Sequence, residues 1–281
     1  MTTLIVSAMT EELAVLRARL AGATPLPLPA GGGRVHDIVS GRLGGRPVVL
    51  ATTGDGARNA REGIAALLGA LPVREVLVLG ISGGLTADLR EGDVVVATRV
   101  VDEADGGSAV QAPGSIVEAA ARASGAKPAA LVTARHIADS VAEKRRLAAL
   151  AGAPTAVVDL ESAGYVAAAL GAGLPWTILR AVSDTADQAL PALLNRARDE
   201  GGAVRRGSVV RGLFGDPGAL PALMSLRRRL KLCAEALARA ATAVVTSGAL
   251  PGFASDAADA FVSRTPGTVD RPGAKPSPGA R

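Results

Sequence analysis

The chain has 281 residues and a formal net charge of +5; 48% of its residues are hydrophobic and 2% are aromatic. An α/β protein of this size is often one domain, and with so few aromatic side chains its core must consist of Ala, Val, Leu and Ile. The single cysteine, Cys233, and the two histidines, His36 and His136, exclude an intramolecular disulfide and a zinc cluster.

The location of the protein is predicted from its N-terminus and its apolar runs. The first eight residues carry no basic side chain and lead directly into a strand pattern, which does not fit a signal peptide. The apolar runs are far shorter than the roughly 20 residues that cross a bilayer. We therefore expect a cytoplasmic protein.

Strand and helix patterns alternate through the first two-thirds of the chain. Short apolar runs with β-branched residues predict strands, and apolar residues at helical spacing predict helices. The predicted strands are 3–8, 47–53, 75–80, 93–101, 130–134, 156–159 and 176–182. The predicted helices are 11–20, 57–71, 115–124, 141–150 and 161–170, with a turn at 82–84. This order predicts a three-layer α/β/α sandwich around a mixed central sheet.

The last third has a different pattern. Helices are predicted at 190–197 and 207–215 and from about 219 to 245, whereas Pro, Gly, Ser, Thr and Asp dominate from 247 onward without periodicity. We expect one catalytic domain over 1–245, in which 203–245 is a basic helical segment, followed by a disordered tail over 246–281. The basic segment lacks the interleaved aromatic residues or the recognisable module of a nucleic-acid-binding protein, so no nucleic-acid partner is predicted.

Polar or glycine-rich signatures follow five of the strands, at the carboxyl ends where open α/β sheets bind ligands. They lie at 7–12, 54–58, 80–84, 159–161 and 180–184. Glu161 and Asp184 stand at the ends of predicted neighbouring strands. Glycosidic cleavage needs a proton for the leaving group and stabilisation of an oxocarbenium-like sugar, and paired carboxylates can supply both.

Four segments carry a family resemblance. They are SAMTEEL at 7–13, GISGGLTADLREGDVVVA at 80–97, AVVDLESAG at 156–164 and ILRAVSDTAD at 178–187. Each motif alone is weak, but all four, in this order, resemble the methylthioadenosine/S-adenosylhomocysteine nucleosidase branch of the nucleoside phosphorylase superfamily. The resemblance covers about residues 1–187 and implies cleavage of the N-glycosidic bond of an adenosine-like substrate by a homodimeric enzyme.

The resemblance also assigns roles to residues. It implies that Glu12 is the acid/base that activates water, that Glu161 holds the ribose hydroxyls, and that Asp184 assists departure of the base through a hydrogen bond at N7. Adenine leaves poorly unless N7 is protonated, and an aspartate in a dry pocket can keep a raised pKa. The other implied substrate-binding residues are Ser183, Arg180, Leu160, Ile137, His136, Met9, Ser82, Gly83 and Arg58.

No cofactor or metal is implied, but the nucleophile stays open. Glu12 favours water because a buried carboxylate would repel a phosphate dianion, whereas Arg58, after a glycine loop, would suit inorganic phosphate as a co-substrate. Two positions depart from the family pattern. Ile81 replaces a residue that commonly carries a hydroxyl, and His136 stands where nucleosidases often stack an aromatic ring on the purine.

Each candidate also has a structural interpretation. Glu11 and Glu12 lie in the first turn of a helix, where acidic residues favourably meet the helix dipole. Asp184 could cap a turn, and Asp159 or Glu161 could cap a helix. Because the four motifs occur together, we interpret Glu12, Glu161 and Asp184 as catalytic and Glu11 as structural.

The C-terminal region suggests a more specific substrate. Residues 183–237 resemble hopanoid-associated phosphorylases, which implies removal of adenine from adenosylhopane, a triterpenoid that carries adenosine through its 5′ carbon. The alternatives are a methylthioadenosine/S-adenosylhomocysteine nucleosidase and a non-catalytic adenosine-binding protein. A peripheral contact with a membrane would use basic and apolar residues of this region, and the alternative is a helix that covers the sheet or a dimer partner. The residues are Arg227, Arg228, Arg229 and Lys231 with Leu213, Phe214, Leu220, Leu223, Met224, Leu226 and Leu230.

Overall fold

The computed structural model describes residues 2–29, 34–190 and 220–250. Within these ranges there are ten strands and six helices. In chain order they are β1 Thr2–Ser7, α1 Thr10–Arg17, β2 Ala21–Pro25, β3 Asp37–Leu43, β4 Arg46–Thr52, α2 Ala57–Ala70, β5 Val73–Gly84, β6 Val94–Asp102, β7 Ser108–Gln111, α3 Gly114–Ser124, β8 Lys127–Thr133, α4 Val141–Ala151, β9 Ala156–Asp159, α5 Ser162–Gly171, β10 Trp176–Asp184 and α6 Leu220–Ser247.

The ten strands form one mixed sheet, as the sequence predicts. On one side of β5, the strand order is β5, β1, β4, β3, β2. On the other side, the strands form a closed ring in the order β5, β10, β6, β8, β9 and back to β5. Pairings of β1 with β4 and β5, of β5 with β10, and of β8 with β6 and β9 are parallel. The pairings of β10 with β6 and of β5 with β9 are antiparallel. The long strand β5 therefore belongs to both parts of the sheet.

Helices cover both faces of the sheet and confirm the three-layer sandwich. On one face, Leu4, Val78 and Ile178 share an apolar core with Ile64 of α2 and Tyr165 of α5. On the other face, alternate residues of the same strands share a second core with α1, α3 and α6. Strands that are buried on both faces explain the continuous apolar runs of the sequence.

The predicted turn at 82–84 is wrong, because these residues are the last part of β5. Gly83 and Gly84 pair with β9, and Gly83 also pairs with Asp184 of β10. A Cβ atom on Gly83 would lie 3.1 Å from Oδ2 of Asp184 and 3.2 Å from Cγ1 of Val158. These glycines let neighbouring strands and the Asp184 carboxyl approach closely.

The C-terminal helix runs slightly beyond the predicted domain end. Helix α6 includes Ser247, and Leu250 is buried in the second core, so the folded part extends past residue 245. Apart from Leu190, the predicted helices at 190–197 and 207–215 lie outside the described residues, as does the tail from 251. Across the described ranges, none of the six helices has an apolar stretch long enough to span a membrane.

Candidate active site

A cavity of about 190 Å³ lies where β1, β5, β9 and β10 end. Ten of the twelve predicted site residues line it: Met9, Glu12, Ser82, Gly83, His136, Ile137, Leu160, Glu161, Ser183 and Asp184. The strand ends therefore bring together side chains that are up to 175 positions apart in the sequence, which is the arrangement that an open α/β sheet favours for a ligand site.

Glu12 is buried in the first turn of α1 and is held by two backbone donors. Its Oε2 accepts from the Met9 N–H at 3.1 Å, and its Oε1 accepts from the Ile81 N–H at 2.9 Å. Burial raises the pKa of Glu12 from 4.5 to about 7, although Arg180 and the two backbone N–H groups oppose this rise. A carboxyl with a pKa near neutrality is suited to exchange a proton with water. The adjacent Glu11 is exposed, so the two acidic residues have different surroundings.

Glu161 and Asp159 make different contacts at the start of α5. Asp159 accepts hydrogen bonds from the backbone N–H and the hydroxyl of Ser162, so this residue satisfies the beginning of the helix. Glu161 makes no capping bond; its Oε1 accepts from the Gly56 N–H at 3.0 Å, and the residue lines the cavity. Burial and the nearby Asp159 charge raise the pKa of Glu161. The helix-capping interpretation therefore fits Asp159, and the site interpretation fits Glu161.

Arg180 lies behind the cavity and connects its carboxylates. Its Nη2 donates to Asp159 and, at 2.8 Å, to Oγ of Ser162. Burial acts to lower the pKa of Arg180, but Asp159, Glu161 and Glu12 together raise it. A Cβ atom on Gly80 would overlap the guanidinium, which explains a glycine at this point of β5. Arg180 is thus a buried counter-ion shared by several carboxylates.

Asp184 ends β10 and has a cationic partner that the sequence analysis missed. Lys144 of α4 donates to its Oδ2, and the hydroxyl of Ser183 donates to its Oδ1 at 2.5 Å. Both charged side chains are almost completely buried. The carboxyl of Asp184 is therefore held by an ammonium group on one oxygen and by a hydroxyl on the other. Lys144 stands among the basic residues of a helix surface, so no sequence signal distinguishes it.

The remaining walls of the cavity are mainly apolar. Ile137 and Leu160 lie beside the exposed His136, and Leu190 and Leu230 add apolar side chains from the segment after β10 and from α6. Leu230, which the sequence suggests as a lipid contact, lines the cavity. The other lining residues that it did not select for the site are Ala8, Asp55, Ile81, Ala138, Val158, Asp159 and Leu190.

Two basic residues, Arg58 and Arg229, have other surroundings than the sequence predicts. Arg58 is exposed at the start of α2 and does not line the cavity. Arg229 is 12% exposed and contacts Glu91 at 3.3 Å and the carbonyl of Ser183 at 3.3 Å, so it points inward rather than to a surface. Arg228 and Lys231 are exposed, and the side chain of Arg227 lies outside the described residues.

Known proteins are similar to this chain in sequence and in fold. The sequence model of the phosphorylase superfamily matches residues 2–211. The 5′-methylthioadenosine/S-adenosylhomocysteine nucleosidase of Geobacillus kaustophilus is 31% identical over 207 residues, which cover 67% of this chain and 86% of the relative. The corresponding nucleosidase of Geobacillus thermodenitrificans is 30% identical with the same coverage.

Two solved structures show the same fold. The 5′-methylthioadenosine/S-adenosylhomocysteine nucleosidase of Neisseria meningitidis, in complex with methylthio-immucillin-A, has a TM-score of 0.66 at 24% identity and covers 88% of this chain and 99% of its own. The futalosine hydrolase of Helicobacter pylori has a TM-score of 0.66 at 19% identity and covers 88% of this chain and 97% of its own.

Proposed function

We propose that this chain, which belongs to the phosphorylase superfamily, hydrolyses the N-glycosidic bond of 5′-substituted adenine nucleosides and releases adenine. The observation that carries the proposal is that Glu12, Glu161 and Asp184 line one cavity at the carboxyl edge of the sheet. These are the three carboxylates that the family resemblance identifies as catalytic.

Each carboxylate has a role that its surroundings support. The oxygen of a water molecule bonds to C1′ while the C1′–N9 electrons pass to the base, and Glu12 accepts the proton that the water loses. Glu161 accepts hydrogen bonds from the ribose hydroxyls and favours the cationic sugar. A hydrogen bond between Asp184 and N7 stabilises the departing base. His136, Ile137 and Leu160 would then lie against the purine.

Water rather than phosphate is the proposed nucleophile. The described residues that line the cavity include Glu12, Asp55, Asp159, Glu161 and Asp184 but neither lysine nor arginine. A phosphate dianion at this place would be close to several carboxylates and would have no cationic side chain in direct contact. The exposed position of Arg58, outside the cavity, also supports water as the nucleophile.

Two kinds of 5′ substituent on the substrate are considered, small sulfur-containing groups and a large apolar group. The two Geobacillus relatives are named for methylthioadenosine and S-adenosylhomocysteine, which favours small sulfur-containing 5′ groups. Adenosylhopane is the second candidate. The apolar Leu190 and Leu230 at the cavity, with Leu232 45% exposed on α6, are compatible with a large apolar 5′ group. A hopanoid substrate would require the protein to reach a lipid surface.

The test is adenine release by purified protein from methylthioadenosine, S-adenosylhomocysteine and adenosylhopane, each with and without inorganic phosphate. Hydrolysis gives the free sugar under both conditions, whereas phosphorolysis gives a sugar 1-phosphate only when phosphate is present. Tight nucleoside binding without turnover of any substrate would refute the enzymatic proposal. A higher kcat/KM for methylthioadenosine than for adenosylhopane would exclude the hopanoid function.

The association state is tested separately. We infer a homodimer from the family resemblance, and light scattering of the purified protein measures it. A monomeric mass at micromolar concentration would refute this inference.

A further inference from the structure

The cavity contains one carboxylate, that of Asp55, to which neither the proposed reaction nor the family resemblance gives a role. Asp55 is half-buried and lines the cavity beside the three carboxylates of the proposed reaction. It lies in the loop between β4 and α2, where Gly54 and Gly56 have φ angles of 80° and 89°. Glycine adopts this conformation at little cost, so the chain can turn sharply on both sides of Asp55. The loop thus presents a single acidic side chain at the edge of the site.

Two hydrogen bonds fix the backbone on either side of Asp55. The N–H of Gly54 donates to the carbonyl of Ala8, at the end of β1, over 2.9 Å. The N–H of Gly56 donates to Oε1 of Glu161 over 3.0 Å. Because both neighbours of Asp55 are held, its carboxylate has a defined place in the cavity wall.

These anchors place Asp55 at the sugar end of the cavity. One anchor is Glu161, which binds the ribose hydroxyls in the proposed reaction. Burial raises the pKa of Glu12 most, and the charge of Asp55 adds to this rise, so the two side chains are electrostatic neighbours. With Glu12 acting at C1′ and Glu161 at the 2′ and 3′ hydroxyls, the part of the sugar that remains for Asp55 is the 5′ substituent.

The cavity wall around the sugar is rich in negative charge. The described lining residues include five carboxylates and neither lysine nor arginine. Three of the carboxylates act in the proposed reaction, and Asp159 is paired with Arg180 behind the cavity. Asp55 is the fifth. A charged 5′ group would interact with these carboxylates in a partly dry site, where such interactions are stronger than in water.

We propose that Asp55 is a specificity-determining residue that selects the charge of the 5′ substituent: a cationic group is favoured, a neutral group is accepted and an anionic group is rejected. This inference rests on the proposed function and specifies its substrate class. An ammonium group at the 5′ position would donate a charge-assisted hydrogen bond to the Asp55 carboxylate. Nucleotides with a 5′ phosphate would be repelled, so the enzyme would act on nucleosides and not on nucleotides.

The test uses three adenine nucleosides of similar size that differ in the charge at the 5′ position. They are 5′-amino-5′-deoxyadenosine with an ammonium group, adenosine with a hydroxyl, and adenosine 5′-carboxylate with an anionic group. Adenine release gives kcat/KM for each, and calorimetry gives the affinity of any that is not cleaved. We expect wild type to prefer the cationic over the anionic nucleoside by about a hundredfold, because each unit of charge close to a carboxylate changes binding by roughly a factor of ten.

Three variants separate the charge of Asp55 from its contribution to the loop. Asp55→Asn keeps the size of the side chain and should lower the ratio of cationic to anionic kcat/KM by about tenfold. Asp55→Glu keeps the charge and should retain most of the ratio. Glu62→Gln, which removes an exposed charge from α2, is the matched control and should have the wild-type ratio. A structural role would weaken all three nucleosides equally, so an unchanged ratio in Asp55→Asn would overturn the proposal.

A measurement on wild type covers the case in which Asp55→Asn does not fold. Equal kcat/KM for the cationic and anionic nucleosides, or a preference for the anionic one, would overturn the role of Asp55 without any variant. If methylthioadenosine is cleaved in the same preparation, the proposed function survives that result. If neither methylthioadenosine nor any of the three nucleosides is cleaved or bound, the proposed function itself fails. Binding in the expected order without cleavage would support the role of Asp55 and refute only the hydrolysis.

Discussion

Replacing Glu12 by glutamine tests the proposed base directly. Glu12→Gln preserves the size of the side chain but removes its ability to accept a proton from water. We expect kcat to fall by roughly 10² to 10⁴, the usual contribution of a general base, while KM changes little. Glu11→Gln is the matched control because Glu11 is exposed in the same helical turn, and its kcat should stay within about twofold of wild type.

The pH dependence provides a second and quantitative readout. With the pKa of Glu12 raised to about 7, the carboxyl becomes protonated below neutrality and can no longer act as a base. Wild-type kcat/KM should therefore fall about tenfold for each pH unit below 7, whereas an ordinary glutamate would remain active to about pH 4.5. The residual activity of Glu12→Gln should lack this acid limb.

The raised pKa of Glu12 also makes the free energy of unfolding depend on pH. The folded-state pKa of Glu12 lies above its ordinary value of 4.5, so the folded protein binds more protons between pH 4.5 and about 7. The contribution of this group is fully present below pH 4.5 and is lost as pH rises through 7, a change of about 3 kcal/mol in the free energy of unfolding. Glu12→Gln should lack this decrease, which urea unfolding at pH 5 and pH 8 measures.

Two results would refute the reasoning about Glu12. One is a kcat for Glu12→Gln within tenfold of wild type, which would mean that another group activates the nucleophile. The other is a wild-type acid limb near pH 4.5, which would mean that burial does not raise the pKa of Glu12 in the substrate-free enzyme. Glu11→Gln with the same loss as Glu12→Gln would point to damage to the helix rather than to the base.

Three further substitutions test the packing and charge of the site. Gly164→Ala would place a methyl group against the carbonyl of Ala57 and should destabilise the fold by roughly 1–3 kcal/mol in thermal unfolding. Its control is Gly171→Ala, in the same helix with open space around the added methyl group, which should be within about 1 kcal/mol of wild type. Arg58→Ala should leave kcat and KM unchanged with or without phosphate; a phosphate-dependent loss would restore phosphorolysis. Arg180→Met should lower the free energy of unfolding by about 3–5 kcal/mol because it leaves several buried carboxylates without their shared cation, and an unchanged melting temperature would contradict this role.

The order of strands and helices could be predicted from the sequence because it depends on local patterns. Fully buried strands such as β10 appear as continuous apolar runs. Helix α4 begins after Ser140, whose side chain caps it, and ends before Gly152, which has the left-handed conformation. The carboxyl-edge positions of Glu12, Glu161 and Asp184 follow from the ends of their strands. These features need only a few neighbouring residues to be recognised.

The end of β5 shows where local patterns mislead. Ser82, Gly83 and Gly84 have the composition of a turn, but they form strand pairs with β9 and β10. Glycine leaves room there for the close approach of Asp184 and Val158, and the chain does not reverse at this point. A contact with residues that lie about 75 and 100 positions further along the chain has no local signal.

The charges of the site were decided by the tertiary structure. Lys144, Arg145 and Arg146 are three adjacent cations in the sequence, yet only the first of them is buried, where it pairs with Asp184. Arg58 follows a glycine loop as a phosphate-binding arginine would, yet it points to solvent. The sequence alone determined which carboxylates stand at the strand ends. The packing of α4, α5 and α6 against those ends decided which cations reach them, because an ion pair depends on a distance in space that residue spacing along the chain does not define.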